Sequence, residues 1–130
     1  MLAAAFFWSP VAGLDFAQAE EKNRVFEIRT YYANEGKLDA LLARFRDHTV
    51  TLFKKHGMTN VGYWVPVDNK ENKLVYMLAF PSREARNKAF KAFSADPDWQ
   101  KAYKESTKDG RLVKKIVNDF LAGTDFSKIK

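Results

Sequence analysis

The 130-residue chain has no cysteine and only two histidines. Disulfides, thiolate metal sites and cysteine nucleophiles are therefore excluded. The two imidazoles, His48 and His56, lie in one predicted helix at a spacing of about 12 Å, which is too far to share a metal ion. Neither histidine belongs to a haem attachment motif. We therefore expect no metal and no cofactor.

Long apolar runs and phosphate-binding loops are also missing. No segment reaches the ~20 apolar residues that span a bilayer, and there is neither a glycine-rich phosphate loop nor a nucleophile elbow. A short apolar run at residues 2–8 and the triplet Ala17-Gln18-Ala19 predict a secretory signal over residues 1–19, and hence a secreted or periplasmic protein. No basic side chain precedes Lys22, so the alternative is a disordered or amphipathic tail on a cytoplasmic protein.

The formal charge is +6, from 22 basic and 16 acidic residues. Loss of residues 1–19 removes only Asp15, which leaves 22 minus 15, or +7. The lysines are scattered among acidic residues, as on a solvated surface. Because 46% of the residues are apolar and 15% aromatic, the chain can bury a core, and we predict one domain over residues 24–126.

Apolar periodicity and turn residues predict strands at residues 25–32, 58–66, 73–80 and 112–121, with helices at 37–56, 83–93 and 97–108. This order matches the ferredoxin-like β-α-β-β-α-β arrangement, an α+β fold with an antiparallel sheet and helices on one face. The apolar stripe of the first helix consists of Leu38, Leu41, Leu42, Phe45, Thr49, Leu52 and Phe53.

The third predicted strand is apolar on both of its faces. Residues 74–80 read Leu-Val-Tyr-Met-Leu-Ala-Phe, whereas a strand with one solvent-exposed face alternates apolar with polar residues. Helices cover one face, so another surface must cover the second. A second copy of the sheet provides that cover, and we predict a twofold homodimer.

Five short segments carry a family resemblance. They are residues 25–32 (VFEIRTYY), 36–38 (GKL), 55–57 (KHG), 61–64 (VGYW) and 96–100 (DPDWQ). In this order they resemble the NIPSNAP family over residues 24 to about 126. The resemblance implies a dimeric α+β barrel, a superfamily that includes cofactorless monooxygenases, haem-using enzymes and small-molecule isomerases. It implies no general reaction, and it links animal members to mitochondrial and vesicle biology through protein contacts.

Glu27 and Arg29 are the candidate polar residues of the first strand. They lie two residues apart and therefore share one face, opposite Phe26 and Ile28. If Phe26 and Ile28 face the helices, the charged pair faces the dimer interior. Arg29 then binds an anionic or carbonyl-bearing ligand that Glu27 orients, or the two form a structural ion pair.

Three further groups of residues are candidates for a site. His48 is the candidate general base, provided that it reaches a cavity between helix and sheet. His56 is expected to cap its helix. The aromatic residues Tyr31, Tyr63, Trp64 and Tyr76 are expected to line the sheet faces and, with Arg29, to contact a ligand.

Two functions fit this sequence, and a third is disfavoured. The first is a homodimer that binds a small, partly apolar molecule, and its enzyme version is a cofactorless monooxygenase or isomerase that uses His48, Glu27 or Arg29. The second is a scaffold that contacts other proteins. The third, RNA binding, is disfavoured because residues 73–80 lack the glycine and internal aromatics of an RNA-recognition strand. We therefore expect no nucleic acid partner.

Overall fold

A computed structural model describes residues 24–130. The signal predicted over residues 1–19 lies outside the described residues, so secretion stays a prediction. The elements in chain order are strand β1 (Val25–Ala33), helix α1 (Leu38–Arg44), a π-helical turn (Phe45–Thr49), helix α2 (Val50–Lys55), strands β2 (Thr59–Trp64) and β3 (Lys73–Phe80), helices α3 (Arg83–Ala95) and α4 (Pro97–Ser106), and strand β4 (Val113–Ala122). Within residues 24–130, no helix is both long enough and apolar enough to cross a membrane.

The four strands form one sheet in the order β2-β3-β1-β4. All neighbouring strands are antiparallel, and β1 lies between β3 and β4. Arg29 of β1 is opposite Tyr76 of β3 and Asn118 of β4. The helices pack on one face of the sheet, so the predicted ferredoxin-like α+β fold is confirmed.

The long helix predicted over residues 37–56 contains a π-helical turn. Within this turn the hydroxyl of Thr49 donates a hydrogen bond to the carbonyl of Arg44, five residues earlier, at 3.3 Å. A π turn holds about one residue more than an α turn, so it rotates the side chains near it around the helix axis. Gly57 follows the helix with a φ of +78°, which suits the left-handed backbone of a helix end.

The predicted apolar stripe of this helix packs against the sheet. Leu41, Phe45 and Phe53 are buried in one core cluster with Tyr76 of β3. The ring of Phe45 contacts the rings of Tyr31, Tyr63, Tyr76 and Phe53 at centroid distances of 5.1–6.2 Å. The layer between sheet and helices is therefore mainly aromatic.

Asp96 joins the end of α2 to the start of α4. Its Oδ1 accepts the backbone N–H of Asp98 at 2.9 Å, which caps α4 as the sequence predicts. Its Oδ2 accepts bonds from Lys55 and from Nε2 of His56, both at 2.7 Å. The side-chain bonds from Lys55 and His56, with the backbone bond from Asp98, hold the pKa of Asp96 well below its ordinary value.

The face of the sheet opposite the helices is largely apolar and partly exposed, with Asp119 and Lys115 of β4 among its polar members. We call it the open face, and its members include Ile28, Val75, Met77, Trp64, Val117 and Leu121. Trp64 is 54% exposed and Val117 is 45% exposed. The described part of the chain therefore presents apolar side chains on both faces, as residues 74–80 indicate.

Replacing Phe45 with alanine should remove the ring that connects the helix to four aromatic neighbours. We expect a loss of about 3–5 kcal/mol in the free energy of unfolding, because the truncation leaves a cavity in a packed core. Urea denaturation measures the loss, and Phe126→Ala is the control because Phe126 is 84% exposed. A Phe45→Ala protein as stable as the control would contradict this packing.

Candidate functional site

A cavity walled largely by aromatic rings lies between the helices and the sheet, beside β4. Its volume is about 330 Å³. The aromatic rings in its wall belong to Tyr31, Phe45, Phe53, Phe90, Phe93, Trp99 and Tyr103. Ile116 of β4 also lines it and is 48% exposed, so the cavity opens at this edge of the sheet. Small-molecule sites have this shape and a volume of roughly 300–1,000 Å³.

Arg44 is the buried cation of this cavity. Its residue is 5% exposed, and its guanidinium lies over the rings of Trp99 and Tyr103 at 5.3 and 5.4 Å. Nη1 donates a hydrogen bond to the hydroxyl of Ser106 at 3.3 Å, whereas Nε is buried without a partner among residues 24–130. Burial lowers the pKa of Arg44, and nearby tyrosines including Tyr31 offset part of this effect.

The remaining polar groups of the cavity wall are basic or neutral. Arg111 and Lys114 add positive charge, whereas the ammonium of Lys115 lies over the ring of Tyr32 on the open face. Thr49 and Thr107 add hydroxyls. The described part of the wall contains no carboxylate and no histidine. Within residues 24–130, no three His, Asp or Glu side chains are grouped closely enough to hold a metal ion.

A chain of hydrogen bonds joins the cavity to Arg29. Arg29 Nε donates to the hydroxyl of Tyr76 at 2.8 Å, and Tyr76 donates to the hydroxyl of Tyr31 at 3.1 Å. Tyr31 lines the cavity, whereas Tyr76 is fully buried and stacks on Tyr63 at 5.1 Å. Of the ligand contacts predicted from the sequence, Tyr31 is therefore at the cavity wall, and Arg29, Tyr63 and Tyr76 lie behind it.

Glu27 is fully buried and accepts bonds from three side chains. Its carboxylate receives Arg29 Nη1 at 2.7 Å, two bonds from Arg86 of α3 at 2.9 Å and one from Asn118 of β4 at 2.9 Å. Burial alone would raise the pKa of Glu27, but the bonds from Arg86 and the charge of Arg29 lower it overall. The carboxylate thus ties β1 to both α3 and β4.

These contacts correct the expected orientation of the first strand. The expectation that Glu27 and Arg29 face the dimer interior is wrong, because both lie on the face covered by the helices. Arg86 of α3 supplies the cation that allows Glu27 to be buried there, and Phe26 lies on the open face instead. The geometry of Glu27 is that of a structural ion pair, with a helix as its partner.

His48 and Trp64 lie away from the cavity. His48 is exposed on the outer side of the helix, so the expectation that it reaches a cavity between helix and sheet is wrong. The reason is the helical stripe, because it is Thr49, one residue later, that points toward the sheet and lines the cavity. Trp64 lies on the open face, with its indole against Gly62, and does not share a site with Tyr31.

Sequence reasoning missed Arg44, Trp99 and Tyr103. Arg44 follows Leu41 by three residues, a spacing that places it beside the buried stripe, and Trp99 and Tyr103 share one face of α4 at a spacing of four. These signals were present in the sequence. What the sequence did not show is that the two helices bring these residues together.

Residues 26–128 match the family model named NIPSNAP, which covers most of the chain. The chain belongs to the NIPSNAP family. The resemblance noted in its sequence is therefore confirmed. A comparison with curated proteins finds no match.

Solved structures of NIPSNAP proteins share the fold. A NIPSNAP family protein with unknown function from Agrobacterium tumefaciens is 27% identical, with a TM-score of 0.74 over 84% of this chain and 96% of that one. A NIPSNAP-like domain protein from Burkholderia xenovorans is 18% identical, with a TM-score of 0.71 over 82% and 90% of the two chains. A putative antibiotic biosynthesis monooxygenase from Nitrosomonas europaea, 12% identical with a TM-score of 0.55 over 76% and 97%, shares the fold alone.

Replacing Glu27 with glutamine should leave Arg29 and Arg86 without their counter-charge. We expect a loss of about 3 kcal/mol or more in the free energy of unfolding at pH 7. Because the folded state lowers the pKa of Glu27, its contribution is present above the ordinary value of 4.5 and is lost as the pH falls below it. The difference between wild type and Glu27→Gln should therefore shrink in acid.

Urea denaturation at several pH values measures this difference. Glu105→Gln is the control, because Glu105 is exposed on α4 and should change stability little. A Glu27→Gln protein that matches the control at pH 7 would show that the buried carboxylate contributes nothing to the fold.

Proposed function

We propose that this NIPSNAP domain binds a small, partly apolar molecule in the cavity between its helices and its sheet. The observation that carries the proposal is the cavity itself, about 330 Å³ in volume and walled by aromatic rings. Aromatic walls with a few polar groups are how proteins hold small apolar ligands. This volume suits a molecule of one or two rings.

The rings of the wall form a preformed surface for a flat molecule. Phe93 and Trp99 lie 4.5 Å apart at an angle of 32°, and Trp99 lies 5.7 Å from Tyr103. Aromatic side chains have few rotatable bonds, so little conformational entropy is lost when they contact a ligand. Thr49 and Thr107 supply hydroxyls that can orient it.

Binding is better supported than turnover. The candidate base His48 is outside the cavity, and Glu27 is occupied by its bonds to Arg29, Arg86 and Asn118. Proton abstraction requires a base within hydrogen-bond reach of the substrate, and the described wall supplies neither histidine nor carboxylate. The similarity to a putative monooxygenase is one of fold and does not transfer its activity.

The same proposal includes a homodimer formed through the open face. Val117, Leu121 and Trp64 remain exposed there, and burying such a side chain contributes about 1.5–3 kcal/mol. The open face belongs to a four-stranded sheet, so a second copy related by a twofold axis can pack against it. A dimer would also cover part of β4, the edge strand beside the cavity.

Replacing Thr107 with tryptophan should fill part of the cavity. We expect the binding of a neutral aromatic probe, 2-naphthamide, to weaken at least about tenfold, because the indole and the probe compete for one volume. Titration calorimetry or amide shifts in NMR spectra measure the binding. The matched control is Lys108→Trp, one residue farther along and exposed outside the wall.

The wild-type protein and the Lys108→Trp control should bind the probe alike. If wild type binds neither 2-naphthamide nor its anionic analogue 2-naphthoate, or if Thr107→Trp binds the probe as well as the control does, the cavity is not a ligand site. The scaffold function would then be the better description of the domain.

Replacing Val117 with glutamate should place a charge in the middle of the proposed dimer contact. We expect a monomer at low micromolar concentration, because an unpaired buried carboxylate is strongly disfavoured. Sedimentation velocity measures the state. Val67→Glu is the control, since Val67 is a fully exposed valine in the loop between β2 and β3. A wild-type protein that is already monomeric under these conditions would contradict the dimer.

A further inference from the structure

Arg44 differs from the other buried arginine of the domain in its partners. Arg29 forms a salt bridge with Glu27 at 2.7 Å, a carboxylate that it shares with Arg86, and donates further bonds to tyrosine hydroxyls. Arg44 is equally buried, yet among the described residues it forms no salt bridge and uses one N–H, the one toward Ser106. A guanidinium has five N–H donors, so most of them have no protein acceptor in the part of the chain that the structure describes.

A buried cation without a counter-charge is costly, and binding of an anion beside it offsets that cost. Three features around Arg44 fit such an anion. Its guanidinium is held in place by the rings of Trp99 and Tyr103. It lines an open cavity, so a ligand can approach it. The other charges of the wall, including those of Arg111 and Lys114, are also positive.

We infer that the ligand of this cavity is a flat aromatic molecule with a carboxylate, and that Arg44 binds the carboxylate while Trp99 and Tyr103 contact the ring. This inference rests on the proposed function, since it names the class of ligand for that cavity. The forked guanidinium matches the two oxygens of a carboxylate, and the tilted rings of Trp99 and Tyr103 provide aromatic surface for the ring of the ligand. Different side chains thus recognise the charge and the ring.

The first test compares two probes of nearly the same shape on the wild-type full-length chain. One is 2-naphthoate, which is an anion, and the other is 2-naphthamide, which is neutral. We expect 2-naphthoate to bind at least about tenfold more tightly in calorimetric titrations, the range that a charge-assisted hydrogen bond provides. Tighter binding of 2-naphthyl phosphate than of 2-naphthoate would contradict a carboxylate site.

The second test asks whether Arg44 carries this preference. Arg44→Gln should bind the two probes about equally, and Arg44→Lys should restore part of the preference because it keeps the charge without the fork. The matched control is Arg46→Gln, which removes the same charge from an exposed position two residues away. This control should keep the full preference.

The outcomes separate this inference from the proposed function. If 2-naphthamide binds and 2-naphthoate binds no better, the cavity is a ligand site but the anion inference is wrong. If Arg44→Gln keeps the preference for 2-naphthoate, another cation holds the anion, and the role assigned to Arg44 is wrong. If neither probe binds to wild type, the proposed function itself fails. The comparison of probes on wild type needs no variant, so it tests the anion inference even if Arg44→Gln does not fold.

Discussion

The structure depends on how charge is neutralised in the layer between the sheet and the helices. Glu27 is the only carboxylate described at the centre of that layer, and it receives four bonds from Arg29, Arg86 and Asn118. These bonds join the central strand to a helix and to an edge strand. Because an unpaired ion is so costly in this environment, each buried cation requires a partner of opposite charge. Arg29 has such a partner in the protein, and Arg44 has none among the described residues.

This contrast divides the layer into a structural half and a half that we propose binds a ligand. Around Glu27 the polar groups are satisfied and packed, which suits a fixed connection between elements. Around Arg44 the aromatic rings leave a cavity, and the cation is oriented but not neutralised. The Tyr76–Tyr31 hydrogen bond links the two halves.

The fold was predictable because its signals are local. The stripe around Phe45, the cap at Asp96 and the two-sided apolar strand each follow from spacing along the chain. The cavity was not predictable, because Arg44 and Trp99 come together only through the packing of two helices. The predicted orientation of the first strand was wrong for the same reason. Alternation groups Glu27 with Arg29 on one face, but the partner that decides which face is buried belongs to a distant helix. The π turn has no such local signal either.

The most direct test of the cavity as a ligand site is a crystal structure of the full-length protein purified without refolding. The account predicts flat electron density against Trp99 and Tyr103, with an oxygen within hydrogen-bond distance of the Arg44 guanidinium. It also predicts that this density lies in each copy of a dimer joined through the open face. A cavity closed by its own side chains, with Arg44 paired to a carboxylate of the protein, would contradict the account.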